Sequence, residues 1–330
     1  MSKQFPNLIS QIFNRPMLAT PELLHDAVLF ARSHLGLPLI AVDGEPLPSV
    51  MARIGLIDDD PDDATGVDDD GDADGTGVAQ IGIYGPLVAR TGNLKLCTQM
   101  TAYESLGQEL DAALADSSVY RIVLDVDSNG GDSTGAFEAA DRIRAANLIK
   151  PVHAIVHFSA FSGGYLLASA AGEVSVSQSS GLGSIGVIAQ HMDVSRAMDS
   201  AGVTVTTVYR GARKADLSPT SPLSDGARAA LDGQLDRIYH QFTTSVAAFR
   251  SIPLQAVAAT DAGLYFGQAA IDAGLADRLE TPQEAFDRIV VLAAEDRAKA
   301  RAAAPDPFTV STQAQRMRMA AAAMAMSNSL

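Results

Sequence analysis

Between residues 77 and 279 the chain alternates short apolar runs with longer amphipathic stretches, the pattern of strands separated by helices. Val78–Tyr84 predicts a strand. Thr98–Ala115 predicts a helix whose apolar stripe is broken by Glu104, Glu109 and Asp111. Tyr120–Val126 is an apolar run of the kind buried on both faces of a parallel sheet. A turn at Asp127–Gly131, a helix over Thr134–Ala146 and a strand over Val152–Val156 follow. Leu166–Ala171 then predicts a helix entered through a tight turn of small residues. Val174–Ser177 predicts a strand, Gly181–Gly186 a loop, Asp193–Ala201 a helix, Val203–Val208 a strand and Asp225–Arg250 a long helix. This alternation predicts the α/β class, with right-handed βαβ crossovers around a mainly parallel sheet.

The flanks are of another character. Residues 1–50 read as a helical N-terminal extension, with Pro21 ahead of the amphipathic Leu23–Leu35. Residues 51–76 read as a flexible acidic loop, 77–280 as the α/β domain, and 281–330 as a helical C-terminal extension whose Ala/Met-rich tail starts near Ala302. Asp58–Asp74 holds ten aspartates, and Asp70-x-Asp72-x-Asp74-Gly75 imitates the start of a calcium loop. The twelfth position, where a bidentate glutamate belongs, is Ile81, so a solvated acidic segment is the expectation and no metal is assigned.

Composition narrows the function classes. The chain has 330 residues, 47% of them apolar, which is enough for a sizeable core. Its formal net charge of −15 disfavours nucleic acid and anionic membranes as main partners, since both need basic patches. Cys97 is the only cysteine, which excludes an intrachain disulfide and a cysteine-based metal cluster. No run approaches the length of a membrane span and no leader pattern opens the chain, so a soluble cytoplasmic protein is expected.

Chemistry concentrates in Phe158-Ser159-Ala160-Phe161-Ser162-Gly163-Gly164-Tyr165, at a strand end and ahead of a helix. Such a turn pushes a serine hydroxyl out of the backbone, where the free N–H groups of the helix start can polarise what it attacks. Ser162 is therefore the candidate nucleophile. The competing role is an ordinary N-cap, a common use of serine at this position. A second turn, Asp127-Ser128-Asn129-Gly130-Gly131-Asp132, also ends a strand and precedes a helix. An N–H from Gly130 or Gly131, with that of Gly163, could form a two-donor oxyanion hole; the alternative is a plain Asn-Gly turn.

Serine needs a base. Lys214 lies in Tyr209-Arg210-Gly211-Ala212-Arg213-Lys214, after the predicted strand Val203–Val208. A lysine is a base only when neutral, which requires lowering its pKa from about 10.4 to roughly 7–8, on the order of 4 kcal/mol. A solvated basic loop is the competing role. Among histidines, His153 fits a packed strand position and His157 is too near Ser162 in sequence, so His191 is the one rival base.

Taken in order, Asp125–Gly131, Ala160–Tyr165, Gly183-Ser184-Ile185-Gly186-Val187 and Gly211–Lys214 resemble signal peptide peptidase A and its relatives. These are serine–lysine peptidases of the Clp protease/crotonase fold. Gly267–Asp277 resembles the family's closing segment, where the chain returns to the sheet, and the match covers about Gly77–Leu279. The resemblance implies Ser162 as nucleophile, Lys214 as general base and Ser184 as the serine that orients the lysine. It implies Gly163, Gly130 and Gly131 as the oxyanion segments, and no catalytic role for His191. Asn129 stands where the family usually has proline, and Ala212-Arg213 where many relatives have Lys-Tyr. The opening Asn7–Leu18 resembles the phage and prophage branch around the lambda minor capsid protein C, which are head-maturation proteases.

The expected function is a serine endopeptidase of capsid assembly that cuts scaffold or portal protein and needs no cofactor. Substrate is expected to pair as an added strand along Gly181–Val187, including Gly183, Ile185, Gly186 and Val187. The resemblance also implies a homo-oligomeric ring or dome whose sites can combine serine and lysine from different protomers, with exposed apolar faces of the core helices as candidate contacts. Alternatives are a soluble peptide-degrading relative, an acyl-CoA-handling crotonase with carboxylates at its centre, and a catalytically inactive capsid scaffold.

Overall fold

The computed structural model describes residues 15–25, 75–90 and 100–303. Its elements are β1 (Met17–Ala19), β2 (Val78–Tyr84), β3 (Leu87–Val88), β4 (Thr101–Ala102), α1 (Tyr103–Ala115), β5 (Arg121–Ser128) and β6 (Gly130–Asp132). They continue with α2 (Ala136–Asn147), β7 (Val152–Phe161), α3 (Gly163–Ser169), β8 (Glu173–Val176), β9 (Gly181–Gly183) and α4 (Ser195–Ser200). The last are α5 (Asp225–Arg250), α6 (Leu254–Ala258), β10 (Leu264–Phe266), α7 (Gln268–Asp272), β11 (Arg278–Leu279) and α8 (Pro282–Ala303).

Strands β2, β5 and β7 run parallel side by side in the main sheet, with β2 at its edge, Ile81 opposite Leu124 and Leu124 opposite Ala154. Strand β7 is long enough to serve two neighbours. Its first half pairs with β8, from His153 opposite Glu173, and its second half with β9, from Ser159 opposite Gly181. β10 closes the β9 edge antiparallel, and β11 pairs parallel with β8. Apart from β10, every pairing in this sheet is parallel, as the alternating pattern predicts.

Period-2 alternation assigns the two faces of the sheet. Ile81, Ile83, Ile122, Leu124, Val126, Ala154 and Val156 form one core with Leu106, Leu110, Ile143, Leu166, Leu167, Phe242 and Val246 of helices α1, α2, α3 and α5. Val78, Val123 and Ile155 face the other way, against Ala285, Ile289 and Ala293 of α8. Helix α8 therefore completes the domain, where the sequence placed a C-terminal extension beyond residue 280. Its apolar stripe covers sheet residues that would otherwise face water.

Glu173 at the start of β8 joins α8 and β11 to the sheet. It pairs with Arg288 at 2.6 Å and Arg278 at 3.1 Å, while Arg288 also reaches Glu280 at 2.7 Å. Hydrogen bonding from His153 and then from Arg288 and Arg278 outweighs burial and holds the Glu173 carboxyl at about 2, below its ordinary 4.5. Near the middle of the fold, the fully buried Tyr165 donates its hydroxyl hydrogen to the Leu275 carbonyl at 2.9 Å. This bond ties the Ser162 turn to the segment Gly267–Asp277, which does return to the sheet through β11.

Several elements differ from the sequence reading. Strand β7 runs five residues past Val156, because β9 offers a ladder that local pattern cannot reveal. Gly130–Asp132 and Gly181–Gly183 are strands, not loops. Val203–Val208 joins no ladder and its residues are exposed, with Val208 at 81%. It has β-forming residues but no neighbouring strand among the described residues. The expected helix Leu23–Leu35, the acidic loop, Cys97 and the Ala/Met-rich tail lie wholly or mostly outside the described residues.

Candidate active site

Strand β7 delivers Phe161 beside Gly183, and the chain then reverses into helix α3 within one residue, Ser162. That residue has φ 53° and ψ −116°, a conformation that L side chains rarely adopt. The strain is held by neighbours: the Ser162 N–H donates to the Gly183 carbonyl at 2.8 Å, and the Leu166 N–H donates to the Ser162 carbonyl at 3.0 Å. Although Ser162 occupies the N-cap position, its side chain makes no capping bond. Its Oγ points instead toward the Gly186 carbonyl, 3.5 Å away. The ordinary N-cap role is thus not the one its hydroxyl plays.

The glycine turn lies against the same helix start. Gly130 has φ 91°, and a Cβ built on it would stand 2.9 Å from the Gly163 nitrogen and collide with the Leu18 carbonyl oxygen. A Cβ on Gly131 would strike the Leu87 backbone. Gly130 therefore needs glycine for the two turns to meet, and Gly131 for β3 to approach. The two glycines differ as donors. The Gly130 N–H is taken by Ser128 Oγ at 3.1 Å, and that hydroxyl in turn donates to the Gly85 carbonyl at 2.6 Å. Gly131 instead lies opposite Leu18 in the ladder of β1 with β6.

Ser184 sits one step past Gly183, beside Ser162, buried and with φ 51°. Its N–H donates to the Gly263 carbonyl at 2.9 Å, while its carbonyl accepts from the Gly186 N–H at 2.8 Å. Ser162, Gly163, Gly130, Gly131 and Ser184 are therefore brought together. Lys214 is not. It is exposed in a stretch of turns, and among the described residues no hydrogen bond joins it to Ser162 or Ser184. Its neighbour Arg213 is occupied by Asp216 at 2.9 Å. His191 bonds the Ser221 carbonyl through Nε2 at 3.2 Å and His153 is buried between Arg121 and Glu173, so neither is placed as the base.

The expected substrate edge also needs correction. Gly181–Gly183 is already flanked on both sides, by β7 and by β10, so no strand can be added there. The edge beyond it, at Gly186–Ile188, meets the chain's own β1: the Met17 N–H donates to the Ile188 carbonyl at 2.8 Å, and the Ile188 N–H donates to the Met17 carbonyl at 3.0 Å. The other edge of β1 pairs antiparallel with β6, Leu18 opposite Gly131. This small strand was missed in the sequence. Its signal is slight: Arg15 before Pro16 favours extended backbone, and Thr20-Pro21 ends it by starting a helix.

Residues 144–295, which include Ser162, Ser184 and Lys214, match the model of peptidase family S49. The chain is 35% identical over 291 residues to Capsid assembly protease C of Escherichia phage lambda, covering 86% of this chain and 65% of that one. It is 37% identical over 209 residues to Head-tail preconnector protein GP5 of Enterobacteria phage P21, covering 63% of this chain and 42% of that one. The chain thus spans about two thirds and two fifths of the lengths of these relatives. A solved ClpP1 mutant from Listeria monocytogenes overlaps 61% of this chain and 91% of its own at TM-score 0.38 and 12% identity. That overlap is too loose to argue from, and the α/β class rests on the strand register itself. No helix among the described residues is long and apolar enough to cross a membrane.

Proposed function

The chain is related to peptidase family S49 through residues 144–295, and on that footing we propose that it is a serine endopeptidase of phage or prophage head assembly. One observation carries the reading: a serine at positive φ, with no capping duty, opens a helix against two glycines that admit backbone donors. In the proposed mechanism, Ser162 Oγ bonds to the scissile carbonyl carbon as its proton passes to the neutral amine of Lys214. The carbonyl electron pair moves to oxygen, where the N–H groups of Gly131 and Gly163 hold it. Collapse breaks the C–N bond, the leaving amine takes the proton from Lys214, and a water molecule releases the acyl group by the same route.

Lys214 is proposed to act across a protomer boundary, in a homo-oligomer. Its exposure in the single chain and the unpaired stretch Val203–Val208 ahead of it support this reading. A neighbouring subunit would supply both the missing ladder and the burial that a neutral lysine needs. The substrate is proposed to be a scaffold or portal protein, in keeping with the capsid-assembly role that one phage relative's name states, and the working compartment is proposed to be the host cytoplasm. Ser162→Ala and Lys214→Ala are each expected to lower peptide cleavage by about 10³-fold or more. Full activity in Lys214→Ala with loss in His191→Ala would overturn the dyad.

A further inference from the structure

Ser162 is only 1% exposed, a paradox for a nucleophile that must reach a protein substrate. The chain's own N-terminal segment lies against the glycine corner beside it. Residues Met17–Ala19 run extended between two backbone edges, β6 on one side and Ile188 on the other. Bonding alternates along the segment, as it does for any strand held on both sides. Met17 exchanges both bonds with Ile188, and the Thr20 N–H donates to the Asn129 carbonyl at 3.1 Å. In that register the Gly131 N–H turns toward Leu18.

The Leu18 carbonyl oxygen lies in the corner made by Gly130, Gly131 and Gly163. A Cβ on Gly163 would stand 3.1 Å from that oxygen and 3.4 Å from the Gly131 nitrogen. This is where the carbonyl of a bond under attack would be expected. The Leu18 side chain is fully buried in the main core, whereas Met17 and Ala19 turn to a separate small cluster with Leu24 and Ile188. Polar contacts fix the entry to the strand: Arg15 pairs with Asp132 and donates to Thr134 Oγ1 at 3.1 Å, and Ser133 Oγ donates to the Pro16 carbonyl at 2.9 Å.

We propose that the groove between Asn129–Asp132 and Gly186–Ile188 is the binding site for an extended peptide, and that Arg15–Thr20 fills it as an internal pseudo-substrate. The inference rests on the peptidase reading for its biological meaning, but not for its test. It names a ligand class: an extended segment with a leucine-sized apolar side chain at the Leu18 position and a basic residue three positions earlier, facing Asp132. It also names a consequence: substrate enters only when the strap leaves, so apparent affinity is reduced by the fraction of molecules in which the groove is closed.

The probe is a fluorescent peptide with the sequence of Arg15–Thr20, and its binding is read by anisotropy on full-length Ser162→Ala protein, so no cleavage is involved. Adding Met17→Pro removes the N–H that bonds Ile188, and is expected to tighten peptide binding at least tenfold. A peptide carrying Glu at the Leu18 position is expected not to bind. Should Met17→Pro fail to fold, Arg15→Ala loosens the strap through its anchor alone and is expected to tighten binding several-fold. Unchanged or weaker binding in a folded, loosened variant overturns the proposal. Tight binding by a protein whose wild type cuts nothing would leave it standing and sink the peptidase reading instead.

Discussion

The turn at Phe161–Gly164 and the stretch Val203–Lys214 follow strand-like runs in the sequence, yet they end up opposite in every physical respect. The first is buried, bonded at its backbone to β9, and strained at one residue that the surroundings hold in place. The second has no ladder among the described residues, exposes Val203, Val205, Val208 and Tyr209, and carries its lysine into solvent. On the proposed reading, one protomer supplies the nucleophile and its oxyanion donors, while the proposed base lies on a stretch left exposed in the single chain.

That contrast can be broken from either side. The largest effect is expected on the unfinished side. Val208→Asp places a charge on an exposed apolar position, so peptidase activity should fall tenfold or more with loss of self-association, while protomer stability stays within about 0.5 kcal/mol. A drop in melting temperature of the isolated protomer would show that the stretch belongs to the protomer's own fold. On the finished side, Tyr165→Phe leaves the Leu275 carbonyl without its partner in a fully buried place. A loss of about 1–2 kcal/mol in chemical denaturation is expected, with the active-site chemistry intact.

The smallest effect concerns ion pairs. Arg213 and Asp216 in the unfinished stretch are exposed enough for their pair to contribute little. Glu173 is different: its carboxyl is held at about 2 in the folded protein against 4.5 ordinarily. A depressed folded value means that this stabilisation is present above about 4.5 and is lost as pH falls toward about 2. Urea midpoints of wild type should therefore decline through that window. Glu173→Gln should flatten the decline and cost on the order of 1 kcal/mol at neutral pH. Equal slopes for the two proteins would remove Glu173 from the account of acid stability.

Much of the scaffold was legible because its signals are local. Val78–Tyr84 alternates as a strand must, and Asp225–Arg250 is opened by Ser224, whose Oγ accepts from the Ala227 N–H at 3.2 Å. The Ser162 turn was legible from its small residues and its place between strand and helix. Illegible were features that depend on distant partners. The ladder of Met17–Ala19 with Gly130–Asp132 joins segments more than a hundred residues apart, and three residues carry no readable periodicity. Val203–Val208 looked like a strand for the converse reason: propensity describes a residue's fitness for a sheet, not the presence of a neighbour.

The most direct test of a site shared between protomers is complementation. Inactive Ser162→Ala and Lys214→Ala proteins would be mixed in equal amounts, dissociated and reassembled, and peptide cleavage measured. If Lys214 serves the serine of a neighbour, random mixing should restore about a quarter of wild-type activity, since half the protomers bring an intact serine and half bring an intact lysine. Full reassembly with no recovered activity would contradict it, placing serine and lysine in one chain or the base elsewhere.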